Sequence, residues 1–227
     1  MPTIEWLKKE FHYGYSSGDI LNQEKDLQRE SEEKKIGGLY KDIIEKLLKV
    51  YIKPEFNVLE LGPGRGSWSN VILDILNEKG NFNTLDFQDV SQWINPDGYC
   101  AKVKHFRVDS LDYSFLDDDN YDLFWSFGVL CHNNIDSIYQ IIHNIYPKMK
   151  KGSILIHQYA DWEKLESYGW ENGAIPMDFK NKRDDQIWWP RNNKKIMQTI
   201  LEANGFEVVE IDCNIVKRDS ICISIKK

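Results

Sequence analysis

The chain has 227 residues, of which 41% are hydrophobic and 13% aromatic, which suffices for one sizeable core but not for a second full domain. The formal net charge of -7 leaves no basic surface field for a polyanion, so a nucleic-acid partner is not expected. The four cysteines show no C-x-x-C spacing, and there is neither a signal segment nor an apolar run long enough for a membrane, so we expect a reduced cytoplasmic protein without a membrane partner.

Residues 1–45 are predicted to form an N-terminal strap and helical cap in front of a main domain over residues 46–227. The helical spacing of apolar residues predicts an amphipathic helix from Gly38 to Tyr51 that packs on the main domain. The charge-dense stretch from Glu24 to Lys35 is interpreted as a solvated helix face.

Aromatic residues alternate with small residues between Phe11 and Ile20, in the stretch FHYGYSSGDI. Such a stretch fits either a hydrophobic strap anchored to the core or a lid that closes over an active site. Tyr13 and Tyr15 lie in this stretch, and both are candidate substrate-binding residues.

The most informative stretch is FNVLELGPGRGSWS, from Phe56 to Ser69. Its aliphatic residues predict a strand that is buried on both faces, and Gly62, Gly64 and Gly66 then permit a sharp turn into a helix. Glu60 lies at the end of the strand, just before the glycines. The stretch therefore predicts a ligand-binding turn with a carboxylate beside it.

The details of this turn favour S-adenosylmethionine over two other ligands. A triphosphate-binding loop requires a lysine after its last glycine, whereas Gly66 is followed by Ser67 and Trp68. The dinucleotide fingerprint requires a third glycine where Ser67 stands. Pro63 removes an amide from the turn, and the carboxylate of Glu60 repels a pyrophosphate but suits a cationic ligand.

A short strand from Phe82 to Leu85 is predicted next, and Asp86 follows it. Asp86 comes about 20 residues after the glycine loop, the distance at which doubly wound folds place a carboxylate on ribose hydroxyls. Asp89 is an alternative for this role, although its position fits a helix N-cap better.

The rest of the chain alternates predicted strands and helices. In chain order these are strands Val103–Val108 and Tyr121–Phe127, helix Ile135–Met149, strand Ser153–Tyr159, a tryptophan-rich insertion at about residues 160–190, helix Asn192–Asn204 and strands Phe206–Cys213 and Asp219–Lys226. The three consecutive aspartates at 117–119 are interpreted as an exposed turn rather than a metal site. This order predicts a doubly wound α/β sheet with helices on both faces and an antiparallel strand pair at its edge.

With Glu60, Gly62, Gly64 and Gly66 in an acid-x-Gly-x-Gly-x-Gly loop, the sequence resembles the class I S-adenosylmethionine-dependent methyltransferases. The resemblance covers about residues 34–227. It implies a Rossmann-like seven-stranded sheet whose last strand is antiparallel, and S-adenosyl-L-methionine as the cofactor.

The resemblance also carries roles over to further residues. Asp86 would hold the ribose, and Asp109 with Ser110 would contact the adenine amine. The segment SFGVLCH, which begins with Ser126 and Phe127, is similar to the end of the family's fourth strand and adds both residues to the cofactor site. The sequence lacks the D/N-P-P-Y/F motif and a clear pair of metal-binding aspartates, which points to a metal-free enzyme that acts on a small molecule.

A catalytic base is expected if the acceptor is a hydroxyl. Methyl transfer from a sulfonium mainly needs alignment and exclusion of water, but a hydroxyl must also lose its proton, and histidine usually accepts it. His132 and His157 follow or end the fourth and fifth strands, beside the glycine strand, so both are candidate bases. A tyrosine, Asp161 or the absence of any base are the alternatives.

Substrate contacts are expected from the insertion and its flanks, where the candidates are Tyr159, Asp161, Trp188 and Arg191. Aromatic faces with a guanidinium suit a polar ring compound such as a sugar. In this respect the sequence is similar to sugar-type O-methyltransferases. A methyltransferase of a small amine and a non-catalytic cofactor-binding partner subunit are the alternatives.

Overall fold

The structure, a computed structural model, describes residues 6, 8–9, 14–21 and 26–227. Tyr13 therefore lies outside the described residues. Among the residues that are described, no helix combines the length and the apolar composition that crossing a bilayer requires.

The centre of the fold is a seven-stranded sheet in the order β3-β2-β1-β4-β5-β7-β6. Its strands are β1 (Asn57–Leu61), β2 (Asn81–Asp86), β3 (Lys102–Arg107), β4 (Tyr121–Ser126), β5 (Met149–Ala160), β6 (Phe206–Glu210) and β7 (Asp219–Lys226). The five strands β3, β2, β1, β4 and β5, which are neighbours in this order, pair in parallel. Strand β7 runs antiparallel to both β5 and β6. The predicted doubly wound sheet with an antiparallel last strand is confirmed.

Helices flank this sheet. They are α1 (Leu27–Ile36), α2 (Tyr40–Ile43), α3 (Lys49–Tyr51), α4 (Ser67–Ile75), α5 (Ile135–Ile145), α6 (Trp162–Tyr168) and α7 (Lys194–Ala203). A π-helical turn (Ile44–Leu48) joins α2 directly to α3 and contains the predicted domain boundary at residue 45.

Successive side chains of a strand point to opposite faces, and the two faces of this sheet are packed by different helices. Val58 of β1 packs in one cluster with the π-helical turn and α4, whereas the next residue, Leu59, packs in another with α5 and α7. A third cluster lies mainly in the insertion, where it includes Leu165, Trp170 and Trp189, and is joined by Cys131 after β4. The helices therefore cover both faces, as predicted.

Several predicted boundaries differ from the observed ones. The helix predicted to run to Met149 ends at Ile145, because Pro147 lacks the N–H that a helix interior needs. The chain passes through a short 3₁₀ turn and enters β5 at Met149, four residues earlier than predicted. In the N-terminal region, α1 is not simply a solvated helix, because Glu32 is only 4% exposed.

Candidate functional site

A cavity of about 430 Å³ lies at the carboxyl ends of the central strands. Its lining includes Gly62 after β1, Asp86 at the end of β2 and Phe127 after β4. The strand order reverses between β1 and β4, and this is the point at which open α/β sheets bind ligands. The cavity is therefore the candidate functional site.

Two glycines of the turn after β1 line the cavity and are required by its geometry. Gly62 has φ 71°, and a Cβ there would lie 2.2 Å from Cγ2 of Val129. Gly64 has φ 54°, and a Cβ there would lie 2.3 Å from the carbonyl oxygen of Tyr15. Gly66, in contrast, does not line the cavity. It is the N-cap residue of α4.

The N-terminal segment lies directly on this turn. The N–H of Arg65 donates to the carbonyl oxygen of Tyr15 at 2.9 Å, and the N–H of Ser17 donates to Oγ of Ser67 at 3.1 Å. Two hydrogen bonds thus hold the described residues at 15–17, called the strap below, across the glycine turn.

Glu60 lies behind the turn rather than in the cavity lining. It is buried and accepts a hydrogen bond from the hydroxyl of Ser69. Burial, with a smaller contribution from the charge of Asp86, raises the pKa of Glu60 to about 8. The free protein therefore holds Glu60 largely protonated at neutral pH.

Asp86 presents a carboxylate to the cavity. Burial raises its pKa to about 6, against the opposing effect of backbone N–H groups such as that of Gln88, which donates at 2.9 Å. Asp89 instead caps a short 3₁₀ turn, where its carboxylate accepts from the N–H of Ser91 at 3.0 Å. The predicted N-cap role of Asp89 is confirmed, and Asp86 is the acid that the structure brings to the cavity.

The other predicted cofactor residues divide into two groups. Ser110 and Phe127 line the cavity. Asp109 does not: its side chain is 72% exposed and forms an ion pair with Lys8. Ser126 is buried beside the cavity lining, and its hydroxyl donates to the carbonyl oxygen of Leu61 at 3.3 Å.

Of the two candidate bases, the structure brings His132 to the cavity. Its Nδ1 lies 2.8 Å from the carbonyl oxygen of Trp188. A carbonyl can only accept, so Nδ1 carries the proton and the lone pair of the neutral ring is on Nε2. Burial lowers the pKa of His132 to about 4, so the ring is neutral at physiological pH and able to accept a proton.

His157 does not line the cavity. It is wholly buried in β5, where Nε2 is 3.4 Å from Sδ of Met197 in α7 and Nδ1 has no hydrogen-bond partner. Burial lowers its pKa to about 4. The predicted position at a strand end is wrong, since β5 continues three residues further, to Ala160.

No protein-family model matches the sequence, and no curated protein matches it either. Many solved protein structures, in contrast, match the fold of this chain. The structure superposes on a S-adenosylmethionine-dependent methyltransferase from Aquifex aeolicus with a TM-score of 0.60 and 17% identity, over 81% of this chain and 89% of that one. It superposes on magnesium protoporphyrin IX methyltransferase from Synechocystis, solved with bound S-adenosylhomocysteine, with a TM-score of 0.60 and 16% identity, over 93% and 90%.

The chain has the S-adenosylmethionine-dependent methyltransferase fold. A protein from Pyrococcus horikoshii matches nearly the full length, with a TM-score of 0.65 and 14% identity over 97% of this chain and 99% of that one. At these identities the likeness concerns the fold, and the activity has to be argued from the site.

Within the methyltransferase fold, two of the predicted substrate residues line the cavity. They are Tyr15, whose hydroxyl donates to Glu32, and Trp188, whose carbonyl oxygen accepts from His132. Both belong to segments outside the central sheet, the strap and the insertion. These segments therefore contribute lining to the same cavity as His132, and this part of the cavity is the candidate acceptor end.

The remaining three predicted substrate residues have structural partners outside the cavity. The hydroxyl of Tyr159 donates to the carbonyl oxygen of Ile211 at 2.9 Å. Asp161 is the N-cap of α6 and accepts from Oγ of Ser220 at 2.6 Å. Arg191 pairs with Asp184 at 2.6 Å and donates to backbone carbonyls of the insertion.

Several residues of this methyltransferase-fold cavity were not predicted. Glu32, Gln158 and Arg218 line it, although they are far apart in the sequence. The amide of Gln158 accepts from the N–H of Gly128 at 2.7 Å and donates to Asp219. No local motif surrounds these positions, so no signal in the sequence pointed to them.

Proposed function

We propose that the chain is a S-adenosylmethionine-dependent methyltransferase that methylates a hydroxyl of a small polar acceptor. One observation carries the proposal: a single cavity holds the glycine turn and Asp86 at one end and His132, with Nδ1 fixed as a donor, at the other. The proposed cofactor position and the proposed proton acceptor thus share one cavity.

The residues at the glycine end fit this cofactor. The carboxylate of Asp86 is a pure acceptor, suited to a pair of ribose hydroxyls. Gly128 lines the same cavity, and no atom lies within 4 Å of the position that a Cβ would occupy there. The open space beside Gly128 leaves room for a ligand against the backbone after β4. Ser110 and Phe127 would complete the adenine side.

The bound cofactor supplies a methyl group that its sulfonium already activates. The chain's own residues must then orient the acceptor, exclude water and remove a proton. Nε2 of His132 is the atom proposed to take this proton. The indole of Trp188, in the cavity lining, suits the apolar face of a sugar-type ring. Trp189 is only 2% exposed and packs against Arg218.

Two measurements test this function. Calorimetry with S-adenosylhomocysteine in the presence of a chelator is expected to show binding, and NAD is expected to give no heat. Transfer of labelled methyl from S-adenosylmethionine to a pool of small hydroxy compounds then separates an enzyme from a non-catalytic cofactor-binding subunit. Labelling of amines alone would replace the hydroxyl acceptor by an amine, and binding of NAD without S-adenosylhomocysteine would overturn the proposal.

A further inference from the structure

Arg218 reaches the cavity because the connection between β6 and β7 docks on the end of α1. The N–H groups of Lys217 and Arg218 both donate to the carbonyl oxygen of Ile36, at 2.9 and 3.0 Å. Only 9% of Arg218 is exposed, and its guanidinium carbon lies 4.4 Å from the ring centroid of Trp189. This buried cation therefore has a fixed position at the acceptor end.

The hydrogen bonds of the Arg218 guanidinium are incomplete. Nε and one N–H of Nη2 donate to the carboxylate of Asp219, and one N–H of Nη1 donates to the carbonyl oxygen of Gly173 at 3.1 Å. A guanidinium has five N–H donors, so one on each Nη atom has no partner among the residues that the structure describes. Arg218 lines the cavity, so a ligand there that supplies acceptors would be able to use these two donors.

The neighbouring carboxylate of Glu32, in contrast, is already occupied. It accepts from the hydroxyl of Tyr15, from Nζ of Lys35 at 2.7 Å and from the amide of Gln28 at 3.4 Å. A cationic acceptor would have to compete with these donors. Among the described residues, unused hydrogen-bond donors at this end of the cavity belong to two cations, Lys35 and Arg218. The Lys35 side chain is 39% exposed, so water can reach its ammonium, whereas only 11% of the Arg218 side chain is exposed.

We infer that Arg218 is an anion-binding subsite, and that the methyl acceptor carries a carboxylate which accepts hydrogen bonds from its two remaining N–H groups. The two oxygens of a carboxylate match two guanidinium donors. A phosphate dianion fits less well, because Asp219 and Glu32 already balance the charges of Arg218 and Lys35. This inference names the acceptor class of the proposed methyltransferase and rests on that function.

The experiment compares acids with their own amides. The probes are D-glucuronate with D-glucuronamide and 4-hydroxybenzoate with 4-hydroxybenzamide, titrated into protein saturated with S-adenosylhomocysteine. The wild-type protein is expected to bind at least one acid about tenfold or more tightly than its amide. The reason is that a carboxylate forms stronger hydrogen bonds with the guanidinium than a neutral amide does. Failure of both acids to bind, or equal binding of acid and amide in both pairs, overturns the subsite.

The variants assign any preference to Arg218. Arg218→Gln combined with Asp219→Asn removes the cation without leaving a buried carboxylate unpaired, and it should abolish the preference for the acid. Arg218→Lys keeps the positive charge but loses the paired N–H donors of the guanidinium, so it should reduce the preference for the acid over the amide. Arg191→Gln is the matched control, because Arg191 lies outside the cavity, and it should keep the full preference. A preference that persists in both Arg218 variants overturns the inference.

The affinity for S-adenosylhomocysteine, measured on each protein, keeps the two proposals apart. Loss of the carboxylate preference with unchanged affinity for S-adenosylhomocysteine assigns the effect to the acceptor end. A wild-type protein that binds S-adenosylhomocysteine but does not distinguish acid from amide rejects the subsite alone. A wild-type protein that binds no S-adenosylhomocysteine rejects the proposed function, and with it the inference.

Discussion

The carbonyl oxygen of Tyr15 accepts a 2.9 Å hydrogen bond from the N–H of Arg65, so the N-terminal strap and the glycine turn are joined through their backbones. The contact is so close that only a glycine fits at position 64, where a Cβ would lie 2.3 Å from the same oxygen. The strap is therefore held at the glycine turn by backbone groups, which most substitutions within the strap would leave in place.

Gly64→Ala tests this junction. The substitution should lower thermal stability and weaken binding of S-adenosylhomocysteine, because the new methyl group displaces the strap in addition to straining the backbone by about 1–3 kcal/mol. Gly152→Ala is the matched control: Gly152 also has a positive φ, 78°, but no atom lies within 4 Å of its Cβ position. Calorimetry and thermal melting should show the larger loss for Gly64→Ala, and equal losses would show that backbone strain alone matters.

Asp86→Ala should weaken cofactor binding by roughly 1.5–3 kcal/mol, the contribution of hydrogen bonds to a shielded charged acceptor. Asp89→Ala should change cofactor binding much less, since Asp89 only caps a 3₁₀ turn. Titration calorimetry with S-adenosylhomocysteine measures both. The opposite order of effects would show that Asp89, rather than Asp86, holds the ribose.

The affinity for the cofactor should also depend on pH through Asp86. Burial raises the pKa of this carboxyl to about 6, so a growing fraction is protonated in the free protein as the pH falls below that value. Only the carboxylate accepts two ribose hydroxyls, so affinity should fall as the pH decreases through about 6. Asp86→Asn should bind weakly at all pH values and lose this dependence, which a pH series of titrations would show.

His132→Ala should lower kcat by about 10²–10⁴ and leave the affinity for S-adenosylhomocysteine nearly unchanged, as expected for a general base. Because burial lowers the pKa of His132 to about 4, the acidic limb of the wild-type rate profile should lie well below the usual histidine range. Steady-state rates between pH 4 and 8 test this. Full turnover in the variant would remove His132 from catalysis and favour an acceptor that needs no base.

His157→Leu should reduce the sensitivity of stability to acid. Burial lowers the pKa of His157 to about 4, below the value of about 6.5 that is usual for histidine in an unfolded chain. The unfolded state therefore binds more protons, and stability falls as the pH decreases through this window. The contribution is about 3 kcal/mol to the free energy of unfolding. Urea unfolding at pH 7 and near pH 4.5 should show a smaller difference for the variant than for the wild-type protein. Equal differences would indicate that His157 has no such role.

The sequence predicts the fold, and places Gly62, Gly64 and Asp86 beside the same cavity, because these features depend on local patterns. Glu60 and Asp109 were assigned to the same site but do not line the cavity. Alternating strands and helices determine the sheet, and Asp86 follows from its spacing after the glycine turn. The acceptor end depends on contacts between distant segments. Glu32 looked like part of a solvated charged stretch, yet it is only 4% exposed and accepts a hydrogen bond from Tyr15 of the strap. This docking cannot be read from periodicity.

Two arginines show the same limit of sequence-based prediction. Arg191 has the chemistry of an acceptor-binding residue, but Asp184 and the carbonyls of the insertion use its donors. Arg218 has the same chemistry and lies in the cavity, although its sequence neighbourhood carries no motif. Which of two arginines meets a ligand is decided by tertiary packing, because residue type alone cannot distinguish them.

A substitution at Gly173 could change the proposed acceptor end of the cavity indirectly, through the position of Arg218. A Cβ at this position would lie 2.9 Å from Cδ of Arg218, and Gly173 itself does not line the cavity. Its backbone does not have a positive φ, so a larger residue would not strain the backbone. It would instead press on Arg218 and on the buried side chain of Leu165, whose Cδ1 would also lie 2.9 Å from the new Cβ. In evolution or in directed selection, the choice of acceptor could therefore diverge through a residue that no acceptor ever touches.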